Sequence, residues 1–443
     1  VKTNKKPITQ HRRFHMNEVE SIRLKQFRQL KKEIRGSKDY LIVGIDVAKD
    51  NHRAFFGTAT GKTLFKRLVF ENTRDGFDRL LIQAEAVKVQ HGLQKTIFGL
   101  EPTATYHKPL GEFLIKGSHG VVLVSGVAVK RNRELLDNRW DKHDTKDSAN
   151  VADLISLGKC LFYDYPSLPL RELRSLVSLK KRVKKQAHGI RTRIRNHLLA
   201  TSFPELDRYY GQSESDALSI VRWCVNPSVI AAMDYEKFAQ LVAPRTRSIA
   251  QQKRLTAIWQ KAAHSIGCEA GEALAFEATV MVEELHRIRA VIRATEEKIE
   301  GICLQFPEYR YLLTIPGFGP DVSSTVLAAI GNPVRFTTGA QVLKMAGFDL
   351  SANRSGKTTD SATPVLSKKG KADLRYALYQ AALIASIRNR HFIVYYTNTL
   401  RGREKEKGIK TKMRVKLAAK LLIIAWTLMK KNEPFNPHYL TTE

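Results

Sequence analysis

Between residues 274 and 302 the apolar side chains repeat with a period that few folds can use. Leu274, Ala278, Met281, Leu285, Ile288, Ile292, Thr295, Ile299 and Ile302 follow one another at spacings 4-3-4-3-4-3-4-3. A seam this regular needs one long helix with a continuous apolar stripe. It argues for a coiled coil, although a long helix packed on its own domain would show the same period. A second long helix is expected over 171–200, where Leu176, Leu179, Val183, Ala187, Ile190 and Ile194 share one face of a basic segment. The stretch between them, 201–270, reads as a mixed, mostly helical insertion.

Upstream the periodicity changes. YLIVGIDVA (40–48), LFKRLVFEN (64–72), TIFGLEPT (96–103) and GVVLVSG (120–126) read as strands. GFDRLLIQAEAV (76–87), a segment over about 106–116 and the chain after Asp144 read as helices. Strands joined through helices make this region α/β. Residues 1–38 are basic and sparse in apolar side chains, and form an arm expected to order only against a partner. From 308 the chain is again globular and mainly helical. IPGFGP (315–320) is a tight turn opening a helix, and helices are expected at about 339–346, 371–390 and 410–430.

The chain has 443 residues with 74 Lys+Arg against 43 Asp+Glu, a formal net charge of +31 spread along its length. Such an excess makes a nucleic acid the expected partner, because each phosphate neutralised releases counterions. Cys160, Cys224, Cys268 and Cys303 are far apart and form no CxxC pair, so neither a zinc site nor a disulfide framework is expected. No apolar run reaches membrane-span length, and no signal-peptide-like segment opens the chain. A cytoplasmic location is expected.

In so basic a chain, the placement of four acids is informative. Asp46 ends the first apolar strand, and Glu101 ends another just before Pro102. A carboxylate in such a position is costly unless it is paired or binds a cation. Asp144 and Asp147 lie at i,i+3, one turn apart on the same helix face. These are hard oxygen donors of the kind Mg²⁺ takes, and two such ions about 4 Å apart can hold both oxygens of a phosphodiester exchange. Duller roles exist for each: Asp46 capping a loop, Glu101 pairing with Lys108, Asp144 and Asp147 as a solvated helix start. Asp141 and Asp153 are neighbouring competitors.

Taken together these segments resemble the IS110 family of transposases. GIDVAKD (44–50), GLEPTATYH (99–107) and KHDTKDSANVADL (142–154) are similar to its N-terminal RuvC-like domain. IPGFGP (315–320), FTTGAQVLKMAGFDLSANRSGK (336–357) and SKKGKADLRYALYQAA (367–382) are similar to its C-terminal transposase domain. The resemblance implies an α/β plus α architecture. It consists of a basic arm (1–38), a RuvC-like domain of RNase H fold (39–165), a coiled-coil region with the insertion (166–305) and a mostly helical transposase domain (306–443). It implies that Asp46, Glu101, Asp144 and Asp147 form a DEDD set holding Mg²⁺ or Mn²⁺, and that Ser355, before Gly356, is an essential serine. It further implies donor and target DNA and a noncoding bridge RNA as partners, and a homo-oligomer, a dimer or tetramer, whose active sites combine domains of different protomers. The arm and the 201–270 insertion are longer than in compact members of the family.

The chemistry suits these residues. A serine that attacks phosphorus and stays attached conserves the energy of the broken phosphodiester, which strand exchange without net hydrolysis requires. No histidine lies near Ser355 in sequence, so metal-bound carboxylates are the expected source of activation. Arg354, Lys357, Lys368, Lys369 and Arg375 are candidates for phosphate contacts, and Gly356 allows close backbone approach. Gly317 and Gly319 place IPGFGP as a helix-hairpin-helix turn whose backbone could grip a phosphate, or as a plain interhelical turn. The competing readings are a metal-dependent nuclease of the Holliday-junction kind that uses water, a site-specific DNA invertase of the same family, and a non-catalytic nucleic-acid-organising protein.

Overall fold

The computed structural model describes residues 11–137, 144–206, 221–222, 225–245, 248–351 and 365–440. The chain divides into two compact units, Val1–Ser167 and Leu168–Glu443.

The first unit is built on a six-stranded sheet. Its strands are β1 (Tyr40–Asp46), β2 (Asn51–Thr58), β3 (Thr63–Glu71), β4 (Lys95–Leu100), β5 (Gly120–Leu123) and β6 (Leu161–Phe162), in the spatial order β3-β2-β1-β4-β5-β6. β1, β2 and β3 form an antiparallel meander, β4 and β5 run parallel to β1, and β6 is antiparallel to β5. This mixed sheet with helices on its faces is the RNase H-like arrangement the resemblance implies. β2 was not expected, although its inward positions His52, Ala54 and Phe56 alternate in the sequence and all three are fully buried.

Period-two alternation sorts the sheet into two faces. Leu41, Val43, Ile45, Phe98 and Leu100 enter a core with α2 (Arg74–Gln90) and α3 (His107–Lys116). Ile42 and Ile97 enter a second core on the opposite face with α5 (Asp144–Ser156), and α4 (Gly126–Asp137) contributes Val129 to it. α5 lies flush on the strands because β1 and β4 each present a glycine beneath it. A Cβ at Gly44 would stand 2.2 Å from the Ser148 carbonyl oxygen and 2.6 Å from the Ala152 nitrogen; one at Gly99 would stand 2.0 Å from Ile155 Cδ1.

Helix α1 (His11–Glu33) departs from the expectation of a free arm. Leu24, Leu30 and Ile34 are buried and Phe27 is half-buried, so this end of the arm docks on the α5 face of the sheet. Arg23 Nη2 donates to the Tyr163 carbonyl at 2.9 Å. A handful of apolar residues at helical spacing suffices to dock a helix; average composition hides them.

The second unit is helical. α6 (Leu168–Arg193) continues through a π-helical stretch, Ile194–Leu199, and is followed by α7 (Pro227–Ala231), α8 (Tyr235–Val242) and α9 (Ile249–Ala262). Next come α10 (Glu272–Cys303), α11 (Pro307–Leu312), α12 (Pro320–Ile330), α13 (Gly339–Ala346), α14 (Ala372–Arg388), α15 (Arg390–Leu400) and α16 (Ile409–Lys431). The heptad seam is filled from within the chain. α6 and α10 run antiparallel, with Leu170 and Leu173 sharing a core with Ile299 and Cys303, and Val183, Ala187 and Ile194 sharing another with Ala278, Leu285 and Ile288. Arg193 pairs with Glu277 at 3.1 Å and Lys180 with Glu296 at 2.9 Å, which fixes the register. The expected coiled coil is thus an intramolecular helical hairpin. Its ends are buried by α8 and α9 on one side and by α12, α14 and α16 on the other, so the 166–305 and 306–443 regions join in one unit. Among the described residues no helix is long and apolar enough to cross a membrane.

Two expectations follow. Gly44→Ala should cost about 3 kcal/mol, because the new methyl meets helix backbone that cannot yield. Gly189→Ala, in α6 with nothing within 4 Å, should stabilise the chain by roughly 0.5–1 kcal/mol through helix propensity; denaturant unfolding of the two variants reads both signs. The second concerns acid. Burial lowers the pKa of His52, outweighing a side-chain hydrogen bond to Asn72, and burial also lowers those of His107, aided by Lys108, and His119. The unfolded chain therefore binds more protons, and the stability present above the free-histidine pKa of about 6.5 should fall as pH drops below it. Thermal melting between about pH 8 and pH 5 measures that loss.

Candidate active site

The acids singled out in the N-terminal region end on one side of the sheet. Tyr40, Ile42, Gly44 and Asp46 alternate onto the α5 face, and Ile97, Gly99 and Glu101 do the same on the neighbouring parallel strand. The register pairs Ile45 with Leu100, and the Glu101 N–H donates to the Ile45 carbonyl at 3.2 Å, so Asp46 and Glu101 stand side by side at the C-terminal strand ends. Both are half-buried. A Cβ at Gly126, the first residue of α4, would stand 2.8 Å from Glu101 Oε1, which places that carboxylate against the start of α4.

α5 brings the other pair. Asp144 and Asp147 occupy its first turn, immediately before Ser148, whose carbonyl lies over Gly44. Asp147 is 3 % exposed, and one oxygen, Oδ1, accepts from Arg133 Nε at 2.8 Å and lies 2.6 Å from Arg133 Nη2. The Asp144 side chain lies outside the described residues, as does Asp141. Asp153 is not part of this cluster: its Oδ2 accepts from Asn132 Nδ2 at 2.8 Å, and Asn132 also donates to Asn150 Oδ1 at 3.2 Å. Arg133 and Asn132 therefore fasten α4 to α5 with two adjacent polar clamps. Among the described residues, no three His, Cys, Asp or Glu side chains converge closely enough to ligate one ion.

Two cations of this region escaped the sequence reading. Arg133 carried no signal beyond lying in a basic helix. Arg53 is paired with Asp46 in the β1–β2 register, so the two side chains share a face. An alternating β2 would have located it. The loop after Asp46 is held from below: the Ala48 N–H donates to Nδ1 of the fully buried His52 at 3.2 Å, and the His52 ring packs on Phe70 and Phe77.

In the helical unit, Ser355, Arg354, Gly356 and Lys357 lie outside the described residues. The flanking chain is described: Leu350–Ser351 and Val365–Leu366 form a two-stranded antiparallel ribbon, with the Ser367 N–H donating to the Asp349 carbonyl at 2.8 Å. Lys368 and Lys369 follow directly and are exposed, Lys368 with φ of 54°. Arg375 has an internal partner, since its Nη1 donates to the Ala346 carbonyl at the end of α13 at 2.7 Å. Gly317 has φ of 89°, and a Cβ there would stand 2.5 Å from the Ala381 carbonyl, so glycine is required by packing on α14. Gly319 is the N-cap of α12, and Asp321 in the first turn is bound by Lys180 and by Lys184 at 3.1 Å. Burial would raise the Asp321 pKa, but its bonds to the two lysines outweigh this and hold it below the usual value. The IPGFGP turn is thus already supplied with an anion at its helix start.

Comparison with known proteins agrees with this architecture. Residues 43–204 match the DEDD transposase model of the IS110 group, and residues 309–397 match the family described as "Transposase IS116/IS110/IS902 family". A relative in Streptomyces coelicolor, "Insertion element IS110 uncharacterized 43.6 kDa protein", is 22% identical over 354 residues, covering 77% of this chain and 83% of its own length. The "Pilin gene-inverting protein" of Moraxella bovis is 28% identical over 153 residues, covering 34% of this chain and 44% of that protein. With both family models matched in order and together spanning more than half of its length, the chain belongs to the IS110 family of transposases, enzymes that act on DNA.

Proposed function

We propose that this transposase exchanges DNA strands through a covalent phosphoserine link formed by Ser355, supported by a divalent cation held by Asp46, Glu101, Asp144 and Asp147. The observation that carries the reading is the shared face: two strand-end carboxylates and the first turn of α5 come to the same side of an RNase H-like sheet. The donor set is all carboxylate oxygen, which fits Mg²⁺ or Mn²⁺. Such an ion, when bound, would polarise a non-bridging phosphate oxygen and stabilise the charge that builds on phosphorus.

The chain's own residues supply the remainder. Ser355 Oγ forms a bond to phosphorus while the bond from phosphorus to a DNA hydroxyl oxygen breaks. The serine proton passes to a base, and the released hydroxyl takes up a proton. In the reverse sense, a hydroxyl of the incoming strand attacks the phosphoserine, restores Ser355 and completes the exchange with no net loss of phosphodiester bonds. Arg133 balances the charge of the buried Asp147 and orients it, and Arg53 stands opposite Asp46 in the strand register. Lys368 and Lys369, exposed after the ribbon, would contact phosphates. Arg375 uses Nη1 to satisfy a helix end and would offer its remaining N–H groups to a phosphate. Donor and target DNA are the substrates; pairing through a noncoding guide RNA would leave the protein to recognise backbone and shape. The gene-inverting relative keeps inversion as a second outcome of the same chemistry.

The test is covalent trapping. Purified protein with its co-purified RNA, labelled matching DNA and Mg²⁺ is denatured and resolved on a gel beside Ser355→Ala and Asp46→Asn. The wild type should give a protein–DNA adduct, reduced at least about 100-fold in both variants, the scale of lost transition-state stabilisation at such sites. Free nicked DNA without adduct, unaffected by Ser355→Ala, would make the chain a water-using nuclease.

A further inference from the structure

Helix α1 has two unlike faces. Leu24, Leu30 and Ile34 are buried in the sheet unit, and Phe27 packs its ring 5.6 Å from that of Phe162. On the outward face Lys25, Arg28 and Lys32 follow at spacings 3-4, with Arg35 in the turn just past the helix end, and all four are exposed. Those spacings put Lys25, Arg28 and Lys32 in one line along the helix, about 10 Å long at ~1.5 Å per residue. The like charges repel one another, and among the described residues no carboxylate pairs with any of the four.

Some exposed cations of the helical unit are paired. On α6, Lys181 pairs with Asp373, Lys184 with Asp321 and Glu296, and Arg193 with Glu277. On α10, Arg287 pairs with Glu284 at 2.7 Å. A docked helix that holds three exposed cations in register, with a fourth in the turn that follows and none of them paired with a carboxylate among the described residues, presents a fixed counter-surface to a polyanion. The helical part of the row runs about as far as three phosphates of one strand, at roughly 3.4 Å of axis each.

We propose that Lys25, Arg28, Lys32 and Arg35 form a phosphodiester-backbone-binding rail, separate from the acidic site. α1 meets α5 at its far end, where the Lys31 carbonyl and Ile34 approach Gly158, whereas Asp144 and Asp147 occupy the first turn of α5. The rail thus stands about one α5 length, on the order of 20 Å, from the acids. It also precedes residue 43, where the family match begins. Its contacts are made by charge, so it carries register and affinity but reads no bases.

The test measures binding of uncleaved nucleic acid by the full chain, so it does not depend on whether Ser355 forms a covalent link. Dissociation constants for a labelled linear DNA duplex and for a labelled hairpin RNA are measured across a salt series. The variant carries Lys25→Gln, Arg28→Gln, Lys32→Gln and Arg35→Gln together. In at least one arm the slope of log Kd against log salt should fall by about 3, with binding at least tenfold weaker at ~0.1 M salt. The arm that responds identifies DNA or RNA as the strand held there. The pair Lys25→Gln with Arg35→Gln should give about half the change, which protects the test should the fourfold variant fold poorly. Exchanging lysine and arginine at all four positions should leave the slope intact, since charge is retained. Unchanged slopes in both arms, with the melting temperature preserved, would overturn the proposal.

Discussion

At Gly44 and Gly99 the sheet and helix α5 approach until only hydrogen fits between them, and the layout of the N-terminal unit follows from that contact. A helix held at ordinary distance would leave its first turn well above the strand ends. Here the Ser148 carbonyl rests over Gly44, so Asp144 and Asp147 begin their turn where β1 and β4 deliver Asp46 and Glu101. The same contact brings α4 alongside, through Arg133 on Asp147 and Asn132 on Asp153 and Asn150. Core packing and charge placement are therefore one problem here. The buried Val151 and Ile155 set the helix down, and the acids at its start are positioned by that act.

The helical unit distributes its positive charge in two ways. Part is paired across the hairpin, where Lys180 and Lys184 meet Glu296 and Asp321. Part closes helix ends, where the backbone carbonyls carry partial negative charge. Arg174 Nε donates to the Ala328 carbonyl at 2.8 Å, Lys371 Nζ and Arg335 Nη2 to that of Ala329 at 3.2 Å, and Arg375 Nη1 to that of Ala346. A net charge of +31 consequently overstates the surface open to nucleic acid. The exposed rows, such as that on α1, are what remains.

Much of this was legible in the residues, and the gaps have physical reasons. Strand-end acids were visible because Asp46 and Glu101 interrupt apolar runs. The i,i+3 pair followed from helix geometry. The heptad seam announced an apolar face but could not say what covers it, because one period serves a partner chain and a neighbouring helix equally; α6 covers it. β2 was missed because the positions alternating with His52, Ala54 and Phe56 are a mixed set, Asn51, Arg53, Phe55 and Gly57, that blurs the period, and α1 was read as an arm because a few apolar positions at helical spacing vanish in a basic average. The contacts of Arg375 with the Ala346 carbonyl and of Gly317 with the Ala381 backbone join residues far apart in the chain, so the sequence did not announce them. Ser355 stands outside the described residues, so its part in the proposal rests on sequence.

The proposal's central element is that acids from separate strands and from α5 act as one metal centre. Titration calorimetry of the full chain with Mn²⁺ addresses it directly, with Asp46→Asn and Glu101→Gln measured alongside. One shared centre requires saturable Mn²⁺ binding that weakens at least tenfold in each variant, as loss of a charged oxygen ligand should produce. Binding that is unchanged in both variants, or absent from the wild type, would contradict it.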